Sequence, residues 1–279
     1  NEYRGSASFS NGTVAIQSYL PMRADMSSTF KIEGGKVVFD RIDLISDGAR
    51  SFVTGEVDLG RWPEQIYNVK SRIHFPRMRE LFFARDTFSL HGDGDFTGTF
   101  HLFKGGRELK GNFFSQQAGV NAYRFGQLRG SLIWVPDRFE VTEASAAFYG
   151  GHSTFTYKMA PLGKAGVRPT MTFDAQYRDV NLLTFTNFLE TRGVRLAGQA
   201  SGRNLLEWPS GRFAERRGSG TVRFAPPVGT RLQTREMQVA EIEANAQLGA
   251  TWGPFSNHLP LAPVPIGGEL SYAFEPEWL

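Results

Sequence analysis

The residues best equipped for chemistry lie between His91 and Gly98. His91-Gly92-Asp93-Gly94-Asp95 brings an imidazole and two carboxylates together, a donor set that could attract calcium or a transition metal. It lacks the ligand spacing and closing glutamate of a calcium loop, and alternate polar residues are also what the wet side of a strand looks like. The overlapping Gly92-x-Gly94-x-x-x-Gly98 is one residue off the dinucleotide fingerprint. It leads into strand pattern, whereas a phosphate cradle needs a helix N-terminus. His74, His101, His152 and His258 show no His-Glu-x-x-His spacing, and there is no Gly-x-Ser-x-Gly elbow. The absence of cysteine removes thiolate catalysis, disulfides and Cys-based zinc sites together. Carboxylates are plentiful, so an acid pair for glycoside cleavage stays open at this point. The expectation is a protein that is not an enzyme, with no catalytic residue, cofactor or metal.

What must position any site is a succession of short strands. Lys36 to Gly60 reads as three of them: Val37 and Phe39 share one parity, Ile42 and Leu44 follow Asp40-Arg41, and Val53, Val57 and Leu59 follow Asp47-Gly48. Side chains along a strand alternate between faces, so each piece has one apolar side. Asp137-Arg138-Phe139-Glu140-Val141 repeats Asp40-Arg41-Ile42-Asp43-Leu44 in polarity, which suggests a repeated unit.

Elsewhere, Arg4 to Gln17 reads as a hairpin turned at Asn11-Gly12. Pro76 to Ala84 and Asp179 to Glu190 read as short helices, each after a strand. Met237 to Trp252 reads as another alternating segment, and Leu259 to Pro265 as a proline-rich loop. The total is roughly fifteen strands and two helices, with repeat-like units at about 26–84 and 128–190 of one continuous domain over 1–279.

The 31 glycines and 24 phenylalanines fit strands joined by tight turns, and the glycines keep no collagen period. Basic and acidic residues are interleaved, with a net charge of only +3, so no nucleic-acid partner is expected. No apolar run approaches the ~18 residues needed to span a bilayer, and no signal-peptide pattern opens the chain. The start at Asn1 and the strand pattern at both termini suggest a piece of a longer protein.

Strands ~4.8 Å apart would make a sheet ~70 Å wide if continuous, and two short helices could not cover its apolar side. A second sheet, closure into a barrel, or a trough lined for something other than protein would each resolve the problem. The strand rhythm, the Gly-x-Val-x-Leu return at Gly55 to Leu59, its relatives at Gly98 to Leu102 and Gly130 to Trp134, and the helices ending Leu81-Phe82-Phe83 and Asn187-Phe188-Leu189 resemble the AsmA-like and TamB-like envelope proteins over most of the chain.

That resemblance implies an all-β fold: a long, twisted antiparallel meander curled into a U-shaped β-groove, with two short helices. It implies bridge-like phospholipid transport between inner and outer membranes across the periplasm. Anchoring would come from a segment outside this one, and contact with outer-membrane assembly proteins would follow for TamB-like members. The expected partners are phospholipid acyl chains, with Phe96, Phe100, Phe113, Leu132, Trp134, Val141, Phe155, Tyr157, Phe173 and Tyr177 lining the groove. A charge at Phe100 or Trp134 is expected to stop lipid passage while leaving the sheet folded. The same alternation also suits a filled sandwich core, a polysaccharide-binding or polysaccharide-degrading β protein, or a passive envelope scaffold.

Overall fold

The computed structural model describes residues 2–14, 20–84, 86–189, 193–252 and 261–275. Fourteen strands form one antiparallel sheet that is not closed into a barrel. In sheet order they are β1 (Tyr3–Val14), β2 (Met22–Glu33), β3 (Lys36–Ser46), β4 (Ala49–Asp58), β5 (Gln65–His74), β6 (Leu90–Phe103) and β7 (Gly106–Val120), then β8 (Tyr123–Val135), β9 (Arg138–Phe148), β10 (Gly151–Ala160), β11 (Thr170–Asn181), β13 (Gln199–Pro209), β14 (Arg217–Ala225) and β16 (Gly268–Phe274). A short parallel ribbon joins β12 (Leu196–Ala197) to β15 (Val264–Pro265). The helices are α1 (Phe75–Phe82), α2 (Leu182–Phe188) and α3 (Arg235–Trp252).

Several expectations are corrected here. Among the described residues three α-helices are present rather than two, because the segment read as an alternating strand from Met237 is α3. Its exposed Met237, Val239 and Leu248 keep no one-sided period, so pattern alone could not separate helix from strand. Lys36 to Gly60 is two strands, not three: Asp40-Arg41 is a bulge inside β3, where Phe39 faces Gly55 but Ile42 faces Val53. Asn11-Gly12 is likewise not a hairpin turn. Asn11 takes a φ of 55°, and the register of β1 on β2 shifts between Phe9 and Gly12, so the positive φ serves a bulge. The ends of three expected segments, at Gln17, Glu190 and Leu259-Pro260, lie outside the described residues.

The repeat is visible in hydrogen bonds. His74 N–H, at the end of β5, donates to Gly48 O in the β3–β4 turn over 2.7 Å, and Asn181 N–H, at the end of β11, donates to Tyr149 O in the β9–β10 turn over 3.0 Å. Each bond is followed at once by a helix, α1 or α2. The β3 bulge also recurs in β9, where Ala144 faces Phe155 but Val141 faces Tyr157, with Glu143 at φ 52° between them. The matching pentapeptides are not the equivalent positions: Asp40-Arg41 lies mid-strand, and Asp137-Arg138 at the entry to β9.

Pro76 lies in the first turn of α1, where its missing N–H would have had no partner. Arg77 pairs with Asp47 over 3.3 Å, and Gly48 (φ +81°) lets the helix sit against the turn: a Cβ there would stand 2.6 Å from Arg77 Cβ. α2 is capped by Asn181, whose Oδ1 accepts from Thr184 N–H over 2.9 Å. Its Leu182 packs with Val180, Ala200 and Val222 as a small core, edged by Phe185, Leu196 and Ile266.

Candidate functional site

Strand register decides which residues share a face. Tyr67 stands opposite Phe100, which is opposite Leu109, then Trp134, Phe139, Met159, Met171 and Trp208. The next row runs Gly98, Gly111, Leu132, Val141, Tyr157, Phe173, Leu206, Gly218 and Phe274. Phe96 faces Phe113, Phe155 faces Ala175, and Tyr177 faces Ser153 and Gly202. All ten residues named from sequence therefore lie on one apolar face. The same face carries Tyr67, Leu109, Phe139, Met159, Met171, Leu206 and Trp208, which share its parity and could have been read from the same alternation.

The rings touch in chains across the strands. Phe39, Tyr67 and Phe100 follow one another at centroid separations of 6.3 and 6.4 Å, and Trp134, Phe139, Tyr157 and Trp208 at 6.3, 6.1 and 6.3 Å. Phe155 lies 5.3 Å from Phe173. Glycines make room beneath them: Gly98 and Gly111 face each other, and a Cβ on either would come within 2.8 Å of Phe96 Cζ. Alternating a large ring with a residue lacking a side chain removes volume from this face, which allows the sheet to bend toward it.

The bend can be measured through the chain that joins α1 to β6. Ser89 is tied to the β7–β8 turn: its N–H donates to Asn121 Oδ1 and its carbonyl accepts from Asn121 N–H, each over 2.9 Å. Three residues earlier, Asp86 Oδ1 accepts from Gly211 N–H, just beyond the end of β13, over 2.6 Å. In a flat sheet β6 and β13, six neighbour steps apart, would be about 29 Å from one another. Three residues of chain reach no more than about 11 Å. The sheet is therefore curled, and this connection crosses its concave side. Phe82 meets Trp134 edge-on at 5.7 Å there, and Arg79 donates through Nε to Phe88 O over 2.7 Å and through Nη2 to Asp86 O.

The ten residues are consequently not equivalent. Phe100, Phe113, Leu132, Val141, Phe155 and Phe173 are half-buried, while Phe96 is buried. Trp134 carries Phe82, so a charge at Trp134 would act on the packing of α1 as well as on the groove lining. Burial pushes the Tyr157 hydroxyl well above the ordinary phenol range, reinforced by the nearby Asp86 carboxylate. Burial raises Tyr177 as well, beside Tyr272. Asp86, only 3% exposed, is held above the usual carboxylate range by burial, with Gly211 N–H and Arg79 opposing.

The convex face carries the polar groups. Asp93 accepts from or bonds to His74 Nδ1 at 2.8 Å, and Asp95 pairs with Arg72 at 2.9 Å, so the carboxylates of the His91 motif are engaged by neighbours on β5. Among the described residues no group of three His, Asp or Glu side chains comes together to hold a metal ion. Gly92, Gly94 and Gly98 lie within β6, where no helix N-terminus follows them. No described helix is long and apolar enough to cross a membrane.

Fold and face define a class: a single curled antiparallel sheet with an apolar concave face, crossed by the α1–β6 connection, and a more polar back. Comparison with protein-family models, with curated proteins and with solved structures finds no match.

Proposed function

We propose that the chain shelters the acyl chains of phospholipids on its concave face and passes them along it, in the manner of the AsmA-like and TamB-like proteins it resembles. In that setting it would form part of a bridge across the periplasm between inner and outer membranes. Anchoring, and contact with outer-membrane assembly proteins, would come from regions outside this segment. One observation carries the reading: strand register aligns apolar side chains on one face from Tyr67 of β5 to Trp208 of β13, and the only other sheet among the described residues is the β12–β15 ribbon.

The energetics suit this use. Exposing two sixteen-carbon tails to water would cost roughly 25 kcal/mol at about 0.8 kcal/mol per methylene. An apolar trough removes most of that barrier without any ligand-specific chemistry. The aromatic rings sit with Leu, Val and Met rather than beside the acids of the convex face, which favours lipid over glycan as the occupant.

The test is native mass spectrometry of gently extracted protein, paired with photo-crosslinking from Phe100 and from its convex-face neighbour Thr99. Copurifying phospholipid that crosslinks at Phe100 but not at Thr99 is expected. A lipid-free protein, or equal crosslinking from both positions, would overturn the assignment.

A further inference from the structure

The end of the sheet at which β6–β7, β8–β9, β10–β11 and β13–β14 turn is charged unlike the rest of the chain. Residues 103–107, 135–138, 160–169 and 209–217, which make those four connections, contain eight basic and two acidic side chains. The net +6 there exceeds the +3 of the whole sequence, so everything else comes to −3. Backbone bonds join the connections side by side. Leu162 N–H donates to Asp137 O over 2.7 Å, and Ser210 N–H to Pro169 O over 2.9 Å. They form one basic margin and not a set of separate turns.

The two acids of this margin are already engaged, Asp137 with Arg138 over 3.4 Å and Glu215 with Arg212 over 3.0 Å. Lys104, Arg107, Lys164, Arg168 and Arg217 are exposed, and among the described residues none of them meets a carboxylate. The opposite end of the sheet is built differently. There Arg77 pairs with Asp47 and Glu80, and Arg124 Nη1 donates to the carbonyls of Asn121, Ala122 and Tyr123. Like charges left uncompensated along one edge repel one another, a cost that an anionic partner would remove.

Apolar groups stand among these cations. Val167, next to Arg168, is half-exposed. The β4–β5 connection turns at the same end and is tied to β6 by Glu64 and His101 over 2.7 Å; it presents Trp62 at 66% exposure, with Leu59 near it in sequence and also exposed. Tryptophan beside lysine and arginine suits the boundary of a bilayer, where the ring rests at headgroup depth and the cations meet phosphate. Leu59 and Val167 would give a nucleic-acid backbone nothing to contact.

We propose that this basic margin docks on the surface of a bilayer containing anionic phospholipid, with Trp62 at headgroup depth and the five unpaired cations over the phosphates. The contact belongs to this segment itself. It does not depend on acyl chains entering the trough.

Co-sedimentation with phosphatidylethanolamine/phosphatidylglycerol vesicles, and with vesicles of phosphatidylcholine alone, measures the contact. At about fivefold per cation near an anionic surface, Lys164→Gln with Arg168→Gln and Arg217→Gln should weaken binding to the anionic vesicles by about a hundredfold. Arg50→Gln with Lys70→Gln and Arg223→Gln removes the same charge from exposed positions within β4, β5 and β14, and should weaken it less than about fivefold. Trp62→Ala should weaken it by about tenfold, the effect of partly burying one large apolar side chain. Phe100→Glu, on the concave face, should bind as the parent does.

Equal loss in the two triple variants overturns the docking surface, because net charge alone would then explain the binding. Loss in Phe100→Glu matching that of the margin variant overturns it in favour of the trough, and unchanged binding in Trp62→Ala overturns it too. So does equal binding to neutral and anionic vesicles, or binding to an RNA duplex with none to vesicles. If a triple variant does not fold, the parent decides: raising salt from about 0.1 to 1 M shortens the screening length from about 10 to 3 Å and should release the protein, and undiminished binding overturns the proposal. A lipid-free protein that still docks leaves this inference standing and overturns only the carrying of acyl chains.

Discussion

Replacing Gly111 by alanine asks whether the facing glycines allow the sheet to bend. An added Cβ would stand 2.3 Å from Thr97 O, 2.5 Å from Gly98 Cα and 2.8 Å from Phe96 Cζ. Carbon atoms settle at about 3.5 Å or more, so all three neighbours must move. Two of them are backbone atoms of the paired β6 and cannot rotate away. Overpacking costs about 1–3 kcal/mol in general, and backbone neighbours place Gly111→Ala in the upper part, at about 2–3 kcal/mol.

Gly126 supplies the control. It lies in the next strand, β8, where the nearest atom to an added Cβ is Ala147 Cβ at 3.5 Å, an ordinary contact. Gly126→Ala should therefore be neutral or gain about 0.4–1 kcal/mol through a less flexible unfolded chain. Urea titration followed by far-UV circular dichroism measures both, with an unchanged slope required for the comparison. In a thermal scan Gly111→Ala should melt roughly 3 to 5 °C below the parent. Coincident midpoints for the two variants would refute the argument that the glycine pair permits the bend.

Phe100→Glu should reduce copurifying phospholipid by about tenfold while Thr99→Glu, one residue along on the convex face beside Lys110, leaves it unchanged; native mass spectrometry reads both, and equal loss would count against the concave path. Leu81→Ala, at a side chain 1% exposed, should cost about 2–5 kcal/mol in urea titration, and a shift under 0.5 kcal/mol would deny α1 a packing role. Two carboxylates should pull the pH profile of stability in opposite directions. Asp174 is held below its ordinary range by the Arg203 guanidinium, so its contribution is complete above that range and lost as pH falls through the lowered value. Asp86 is raised by burial, so its protonated form is favoured in the folded chain, and that contribution fades as pH rises through the raised value. Melting temperatures across pH should show Asp174→Asn flattening the acid limb and Asp86→Asn flattening the decline above it; unchanged profiles would refute the two environments.

Much of this architecture is legible in alternation. Period-two patterning places side chains by parity, and antiparallel pairing carries parity from strand to strand, so Phe96 and Tyr177, eighty-one positions apart in sequence, fall on one face without any contact being known. Bulges are harder, because Asp40-Arg41 and Asn11-Gly12 carry the same polar and glycine signals as true turns and differ only in whether the chain reverses. α3 escaped because its exposed apolar residues do not form a stripe. Asp86 had no local signal at all: its partner is Gly211, 125 residues on, and an isolated aspartate after Phe83 reads as loop polarity until the curl brings the far wall to it.

Apart from the short β12 and β15, each strand of the large sheet hydrogen-bonds only to its predecessor and successor along the chain. No connection has to thread past another, so the sheet can be laid down in the order of synthesis, each new strand zipping onto an edge already in place. The same wiring makes length an adjustable quantity. Adding or removing an adjacent pair of strands preserves both chain direction and the side on which the oily residues emerge, so a gutter of this construction can be tailored in width by whole hairpins without redesigning its neighbours.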